Sequence, residues 1–235
     1  MSLYKQNGKV RWLPSYLRHQ GKITKSQKRA IQRLWPRYGI DFSYNQTISL
    51  WNHFPEEKPI SLEIGFGKGE NIVHLAKANP QKQYLGIEVH RPGIGTTLQK
   101  IEQYQLQNIR IVRGDALCFL SDHLKEPFFD EVFIFFPNPW QGHKDKKRLL
   151  VQTFSIEIIA NKVYPNTNLY LATDVEEYAK HMKSTIESDN QWSNQSTGFA
   201  KRPSWRPITK YERKALDRRD VIYDLWFCYQ PSLRS

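Results

Sequence analysis

The stretch from Ile60 to His90 limits the fold of this chain more than any other. It opens with ISLEI, an apolar run that has the length of a buried strand. Three glycines at alternate positions follow this run: Gly65, Gly67 and Gly69. A helical pattern of apolar residues then continues to Pro80, and a second apolar run, Tyr84 to Val89, carries Glu88 near its end. The order of strand, glycine turn, helix and strand predicts a parallel α/β sheet.

The spacing of the glycines and acidic residues predicts a nucleoside site at the end of the first strand. Glycines there allow a sharp turn and a close approach of a ligand, because no Cβ intrudes. Glu88 follows Gly69 by 19 residues (88 − 69), against the roughly 20 expected of a nucleoside-binding unit, and its carboxylate can accept hydrogen bonds from ribose hydroxyls. Glu63 would repel a pyrophosphate but suits a cationic ligand with an amino group. S-adenosylmethionine fits this description and NAD does not; the alternative is a glycine-rich turn without a ligand.

Length and composition exclude several classes of protein. A chain of 235 residues suits one α/β domain with an appendage. We expect no membrane span, because no run of about 18 apolar residues exists, and the N-terminus lacks the apolar core of a signal peptide. Cys118 and Cys228 are too few for a disulfide scaffold or a cysteine zinc site, and the cytoplasm is the expected compartment.

The positive charge of the chain points to a polyanionic partner. The formal net charge is +12, and residues 1–40 contain ten Lys or Arg and no Asp or Glu. Further basic clusters lie at 144–148 and 201–219. Three basic segments around an acidic pocket predict a nucleic-acid footprint beside a small-molecule site. We expect residues 1–45 to form a basic, partly flexible arm with a helix near Thr24 to Leu34; the alternative is a solvated tail with a small helix packed on the domain.

Polar residues also follow the later predicted strands, where parallel strands present their carboxyl ends to a ligand. The third strand, Asn108 to Gly114, ends at Asp115, which can either reach an adenine amino group or cap the following helix. The fourth strand, Glu131 to Phe136, runs into Pro137-Asn138-Pro139-Trp140. There the Asn138 amide can bind a base edge beside the apolar face of Trp140; the alternative is a proline-rich loop with a packed Trp.

Four further elements are predicted between the fourth strand and the C-terminal part of the chain. They are a helix at 148–162, a turn at 165–167, a strand at 168–173 that ends at Asp174, and a helix at 176–188. The proline-rich basic segment 198–207 predicts an exposed loop, and VIYDLWFCY at 221–229 predicts the last strand.

Taken together, these pieces resemble the bacterial tRNA (guanine-N7-)-methyltransferases. The segments that carry the resemblance stand in family order: LEIGFGKGE (62–70), GIEVH (86–90), GDA (114–116), FFPNPW (135–140), ATD (172–174), RPITKYE (206–212) and YDLWF (223–227). LEIGFG and GIEVH alone would indicate only a class I methyltransferase, whereas their combination with RPITKYE is specific to this family. The resemblance implies a Rossmann-like methyltransferase domain at 46–235, with a seven-stranded, mostly parallel sheet, helices on both faces and an antiparallel last strand.

The resemblance also implies the ligands and their contacts. The donor is S-adenosylmethionine, without a metal, and the substrate is a variable-loop guanosine of tRNA, with no obligate protein partner evident. The residues expected at the donor are Glu63, Gly65, Gly67, Gly69, Glu88, Asp115 and Asn138. The residues expected at the substrate are Lys144, Asp174, Thr209, Lys210, Tyr211 and Glu212.

Two positions depart from the family pattern. Asn138, the expected catalytic position, stands where the family has Asp, and Gly142 stands where it usually has Lys, a role that Lys144 can take. Guanine N7 carries no proton, so its methylation requires alignment and no general base. We therefore expect slower turnover than with Asp, and retained activity.

Two other functions remain open from the sequence. The Asn-Pro-Trp segment partly resembles the signature of methyltransferases that act on exocyclic amines, although a second proline after the Asn is absent. A tRNA-binding protein that has kept the fold without catalysis is the other. A zinc enzyme is not expected, because the seven His show no paired ligand spacing.

Overall fold

The computed structural model describes residues 3–6, 9–12, 15–16, 21–43, 46–140, 142 and 145–231. Its strands are β1 Leu3–Gln6, β2 Lys9–Trp12, β3 Gly39–Ile40, β4 Ile60–Ile64, β5 Gln83–Glu88, β6 Ile109–Arg113, β7 Phe129–Phe135, β8 Val163–Thr173, β9 Trp192–Asn194 and β10 Tyr223–Tyr229. Its helices are α1 Lys25–Tyr38, α2 Glu70–Ala78, α3 Arg91–Gln103, α4 Ala116–His123, α5 Thr153–Ala160, α6 Glu176–Glu187 and α7 Lys210–Asp217. No helix in these ranges is long and apolar enough to span a membrane.

One eight-stranded sheet organises the domain. Its strand order is β3-β6-β5-β4-β7-β8-β10-β9, and β10 runs antiparallel to both of its neighbours. The pairs from β3 to β8 are parallel, which confirms the mostly parallel sheet with an antiparallel last strand. The count is eight instead of seven because the two-residue β3 extends the sheet beyond β6.

The strand order places the ligand-binding edge. From β4 the chain adds β5 and β6 on one side, then returns to place β7 on the other side of β4. The loops after β4 and β7 therefore diverge, and a crevice opens at the carboxyl ends of these strands. The residues predicted at the strand ends are thus brought to a single edge of the sheet.

Helices cover both faces of the sheet, as predicted. One core cluster packs α4, α5 and α6 against the sheet through residues such as Phe119, Ile156 and Met182. The other packs α1, α2 and α3 against the opposite face through residues such as Leu34 and Leu98. The buried strands carry apolar side chains on both faces, as strands between two helical layers require.

Part of the predicted basic arm belongs to the domain. In α1, Ala30, Leu34 and Tyr38 are buried against the sheet layer, and β3 pairs with β6. The boundary predicted at position 45/46 therefore falls after elements that are already packed. The reason is that α1 is amphipathic: its cations lie on the outer face, while its apolar stripe packs inward.

Two further bounds differ from the sequence predictions. Helix α5 begins at Thr153, because Lys146–Arg148 forms a separate 3₁₀ turn. The predicted turn at 165–167 lies within β8, where Asn166 adopts a φ of 68° and the Thr167 hydroxyl donates to the Phe129 carbonyl oxygen at 2.8 Å. The pairing of β7 with β8 is irregular at this point, and the irregularity accommodates the turn residues within the strand.

Candidate active site

A cavity of about 1140 Å³ lies at the carboxyl edge of the sheet. It joins most of the residues that the sequence predicted for the two ligands. Those in its lining are Glu63, Gly65, Gly67, Glu88, Asp115, Asn138, Asp174, Thr209 and Tyr211. The volume and the number of polar groups suit a ligand of nucleoside size beside a second planar group.

The glycine turn between β4 and α2 forms the floor of this cavity. Gly65, Gly67 and Gly69 have φ values of 76°, 56° and 69°, a left-handed region that side chains with a Cβ disfavour. Gly69 does not line the cavity. It is the N-cap of α2, and a Cβ there would lie 2.5 Å from the Thr97 side chain. Its role in the structure is therefore to let α2 and α3 pack closely behind the turn.

Glu63 is a buried carboxylate at the end of β4. It is 4% exposed, and its Oε2 accepts a hydrogen bond from Asn71 Nδ2 at 3.0 Å. Burial raises the pKa of Glu63 from 4.5 to about 8; the Asn71 hydrogen bond opposes this rise and the neighbouring charge of Glu88 adds to it. No cation pairs with Glu63 among the described residues. Such a carboxyl group can accept a ligand cation, since the ligand would supply the missing charge.

Glu88 ends β5 with its carboxylate held by the backbone. Oε2 accepts from the Gly67 N–H at 2.7 Å, and Oε1 accepts from the N–H groups of Val89 and His90 at 2.7 and 2.8 Å. These bonds fix both oxygens at the wall of the cavity. Both lone-pair sites of Oε1 are thereby taken, whereas Oε2 retains one site for a further donor, such as a ribose hydroxyl.

The capping alternative is confirmed for Asp115, and its contact with an adenine amino group stays a prediction. Its side chain accepts from the Cys118 N–H at 3.0 Å as the N-cap of α4, and the residue also lines the cavity. The cap fixes the orientation of this carboxylate at the end of β6. Glu63, Glu88 and Asp115 thus stand at the ends of three adjacent strands.

Asn138 and Trp140 occupy different environments after β7. Asn138 is exposed at the cavity, and its Oδ1 accepts from the Trp140 N–H at 3.2 Å. Trp140 packs on the core, its indole N–H donates to the Ser15 carbonyl oxygen at 3.0 Å, and the Arg148 guanidinium lies 5.0 Å from its ring centre. The packed-Trp alternative therefore describes Trp140, whereas Asn138 remains available to a ligand.

Asp174 lies at the end of β8 and pairs with Arg218, a cation that the motifs did not single out. The Arg218 Nη2 donates to Asp174 Oδ2 at 2.9 Å, and Arg218 also pairs with Asp220. Lys214 and Arg218 both line the cavity. They follow Tyr211 by three and seven residues, which places all three on one face of a helical segment, so helical spacing is the signal that could have found them.

The segment 209–212 divides between the cavity and the core. Tyr211 is 60% exposed at the cavity, and Thr209 lines it while accepting from the Glu212 N–H at 3.3 Å as the N-cap of α7. The Lys210 N–H donates to Glu70 Oε2 at 2.6 Å, which joins α7 to the start of α2. Neither Lys210 nor Glu212 is part of the lining: Glu212 is buried, and Lys210 is exposed at the first position of α7. The substrate contacts predicted for them stay predictions.

Glu212 belongs to a buried ion cluster with Arg206 and Asp224. The burial of Arg206 shows that the prediction of an exposed loop at 198–207 is wrong at this residue. The Arg206 side chain is fully buried; it donates to Glu212 Oε2 at 2.9 Å and to Asp224 Oδ2 at 3.0 Å. Arg202 also donates to Glu212, at 2.7 Å. Burial raises the pKa of Asp224 to about 6, although Arg206 opposes the rise. Sequence composition could not predict that Arg206 is buried, because the burial of a charged side chain depends on the oppositely charged partners that the fold brings to it.

The second basic cluster is partly neutralised. Lys146 pairs with Glu177, and Arg148 lies 3.4 Å from the carboxylate of Asp145. Lys144, the predicted substitute for the family lysine, lies outside the described residues. The role predicted for it therefore stays a prediction.

Comparison with known proteins identifies close relatives. The family model described as "Putative methyltransferase" matches residues 57–225. A tRNA (guanine-N(7)-)-methyltransferase of Halorhodospira halophila is 38% identical over 219 residues, covering 92% of this chain and 95% of the relative. Its namesake in Nitrosomonas eutropha is 39% identical over 213 residues, covering 91% and 95%.

Solved structures share the fold at low sequence identity. The 16S rRNA methyltransferase KamB has a TM-score of 0.57 at 12% identity, covering 94% of this chain and 99% of that one. A 30S ribosomal A1408 methyltransferase from an uncultured bacterium has a TM-score of 0.54 at 16% identity, covering 82% and 98%. These similarities show the Rossmann-like methyltransferase fold.

Proposed function

The chain belongs to the tRNA (guanine-N7-)-methyltransferase family, and from this premise we propose that it transfers a methyl group from S-adenosylmethionine to N7 of the variable-loop guanosine of tRNA. The observation that carries the proposal is the row of carboxylates at three adjacent strand ends, Glu63, Glu88 and Asp115, in one cavity with Asn138. Because the substrate is tRNA, we place the reaction in the cytoplasm.

The residues present fit the donor. A buried carboxyl group without a cationic partner, Glu63, matches the α-ammonium group of an amino-acid moiety. Glu88 offers a fixed acceptor, Oε2, for a ribose hydroxyl, and Asp115 offers one for the adenine amino group. Gly65 and Gly67 keep the floor free of side chains, and their positive φ values disfavour any other residue there. When bound, S-adenosylmethionine supplies a methyl group made electrophilic by its sulfonium.

The reaction requires the protein to align guanine N7 with the methyl group of the donor. The N7 lone pair forms a bond to the methyl carbon, the carbon–sulfur pair of electrons stays on sulfur, and the positive charge moves to the purine without loss of a proton. We assign Asn138 to the base edge, and we assign Asp174, Tyr211 and Arg218, which line the same cavity, to the side of the substrate. Holding the two reacting groups in line contributes most of what such a reaction needs.

The direct test is to incubate the protein with unmodified tRNA and labelled donor and to locate the methylated nucleotide. We expect 7-methylguanosine in the variable loop, detected by chain cleavage after reduction and aniline treatment. A methylated exocyclic amine would survive aniline and would favour the alternative reaction. Donor binding without methylation of any tRNA would favour a non-catalytic tRNA-binding protein.

Donor binding is expected to release a proton from Glu63. Below pH 8 the unliganded protein holds that proton, and the donor ammonium requires the ionised carboxylate. The affinity for S-adenosylhomocysteine should therefore fall by up to about tenfold per pH unit below pH 8. Calorimetry in buffers of different ionisation enthalpy measures the proton release directly.

The Glu63→Gln variant is the control for this linkage. It should bind more weakly than wild type at pH 8 and should show no release of a proton. The stability of the unliganded protein should depend on pH in the opposite direction to donor affinity. It should fall as pH rises from about 4.5 to about 8, because the folded state keeps a proton on Glu63 that the unfolded chain has lost. A flat affinity profile in the wild type would contradict the assignment of Glu63.

The Asn138→Asp substitution is expected to raise turnover by roughly three- to tenfold, because a charge-assisted hydrogen bond to the cationic purine is about twice as strong as a neutral one. Single-turnover methylation of tRNA measures the effect. Asn138→Leu, which removes the hydrogen-bonding groups, should be slower than both. An inactive wild type beside an active Asn138→Asp variant would contradict the idea that alignment suffices.

The outer face of α1 is expected to contribute to tRNA affinity. Lys25, Lys28 and Arg29 are exposed there, and residues 21–40 contain no acidic residue. Changing Lys25 and Arg29 to Gln should reduce the slope of log affinity against log salt by about 1.4 to 1.8 units if each contacts one phosphate. Substitution is preferable to deletion of residues 1–40, which would remove buried α1 residues.

A matched pair on the opposite face of the sheet provides the control. Lys180 and Lys183 lie on α6, where they pair with Glu176 and Glu187. Changing both to Gln alters the net charge equally and should leave the slope nearly unchanged. An equal effect of the two pairs would assign the salt dependence to net charge instead of to α1.

A further inference from the structure

Asn71 is a buried amide in the first turn of α2 that none of the sequence motifs singled out. It is 1% exposed, and it borders the cavity beside the glycine turn. Its Nδ2 donates to Glu63 Oε2 at 3.0 Å, and the backbone N–H of Ile72 also hydrogen-bonds to Glu63. The start of α2 thus presents two donors to one carboxylate.

The stability of the fold does not explain why an amide side chain stands at this buried position. Among the described residues its Oδ1 has no hydrogen-bond partner, although it is buried. A buried acceptor without a partner destabilises a protein, so an apolar side chain of the same shape would suit the fold at least as well. Asn71 is also not the N-cap of α2, since Gly69 holds that position. What remains for the side chain is its hydrogen bond to Glu63.

Glu63 needs such a donor because its surroundings oppose ionisation. It lies at the end of β4 next to β5, whose terminal Glu88 adds a like charge. Within the part of the chain that the structure describes, Asn71 is the one side chain that favours the carboxylate form of Glu63, together with the Ile72 N–H. Removing the Nδ2 donor would leave the carboxylate with one of these two bonds and with unchanged burial and repulsion.

We propose that Asn71 is a positioning residue for the donor site, which holds the Glu63 carboxylate in the orientation in which it receives the amino group of the donor. This rests on the proposed function, because the amino group is that of S-adenosylmethionine. Asn71 acts through Glu63 and does not itself contact the reacting atoms. The neighbouring contacts of the adenosine, at Glu88 and Asp115, are independent of it.

The test compares wild type with Asn71→Leu, which has nearly the same shape but no polar atom. We expect the affinity for S-adenosylhomocysteine at pH 7.5 to fall roughly 10- to 100-fold, because a hydrogen bond to a charged group is lost. The midpoint of the pH profile of binding should move to higher pH. The midpoint of urea unfolding should not fall, since the unpartnered oxygen is removed as well.

Two further arms separate positioning from general damage to the site. The same ligand without its α-amino group should bind wild type and Asn71→Leu equally. In the Glu63→Gln background, Asn71→Leu should have no additional effect on affinity. Asn71→Gln, which keeps an amide on a longer side chain, should recover part of the affinity.

The outcomes are distinct. An equal loss for both ligands, or an unshifted pH midpoint, would overturn the role of Asn71 while leaving the proposed function intact. Failure of the wild type to bind S-adenosylhomocysteine at all would overturn the proposed function, and with it this inference. An Asn71→Leu variant that unfolds more readily and binds normally would assign the residue to the fold alone.

Discussion

The Arg206→Met variant is expected to lose about 3–5 kcal/mol of folding free energy, which is the cost of removing one partner from a buried ion cluster. Arg206 holds Glu212 of α7 and Asp224 of β10 together, and its guanidinium lies 5.2 Å from the ring centre of Phe135. Without it, the buried carboxylate of Asp224 loses its paired cation, while Glu212 keeps Arg202. With total stabilities of about 5–15 kcal/mol, the loss would be visible in urea unfolding followed by circular dichroism.

The pH dependence of this loss has a defined sign. Asp224 already has a pKa raised to about 6 by burial, and the Arg206 charge counteracts that rise. In the variant its pKa should rise further, so that the folded state keeps a proton which the unfolded chain releases. The destabilisation should therefore shrink as pH is lowered from 8 towards 5. A constant difference across this range would contradict the ionic origin of the effect.

A compensated variant separates the charge from the packing. Replacing Arg206, Glu212 and Asp224 together by Met, Leu and Leu removes the buried charges. The remaining partner, Arg202, is partly exposed to solvent, so the triple variant should cost much less than Arg206→Met alone. Tyr211 should still lose its position at the cavity, because the ion cluster fixes the start of α7. We therefore expect the triple variant to fold, to bind donor, and to methylate tRNA slowly with a raised KM for tRNA.

The Glu88→Ala variant is expected to lower donor affinity roughly 10- to 100-fold, because a hydrogen bond to a charged group contributes about 1.5–3 kcal/mol. The carboxylate is fixed by the N–H groups of Gly67, Val89 and His90, so its acceptors are already oriented before a ligand arrives. Titration calorimetry with S-adenosylhomocysteine measures the loss. Adenosine should lose affinity by a similar factor, since the affected contact is to the ribose.

Two controls accompany this experiment. Glu88→Gln keeps one acceptor oxygen and should give an intermediate affinity, whereas Glu57→Ala, at an exposed position, should bind as wild type does. A near-ultraviolet circular dichroism spectrum shows whether the glycine turn survives the loss of its acceptor. Unchanged affinity for adenosine in a folded Glu88→Ala variant would contradict the placement of the ribose.

Much of the donor site could be read from local sequence. The glycines, Glu63 and Glu88 belong to one continuous βαβ unit, in which backbone conformation and strand direction fix where each side chain points. Asp115 and Asn138 could be added because parallel strands bring their carboxyl ends to one edge. For these residues the distance along the chain translates directly into a place on the sheet.

The substrate side could be read less well, because it is assembled from segments that meet only in the folded domain. Glu212 and Lys210 both belong to a family motif. Glu212, however, is buried against Arg206, and the backbone N–H of Lys210 binds the Glu70 carboxylate. Lys214 and Arg218 enter the cavity although no motif names them. A basic loop and a buried ion cluster have the same composition, and only the partners distinguish them.

The sequence by itself determined the α/β class, the glycine turn, the acidic strand ends and the family, because each follows from short-range spacing along the chain. Only the tertiary structure decided that α1 packs into the domain, that Trp140 is a packing residue, and that Arg206 ties α7 to β10. Those outcomes depend on long-range contacts, in which a charged or aromatic side chain is buried or exposed according to the partner that the fold brings to it.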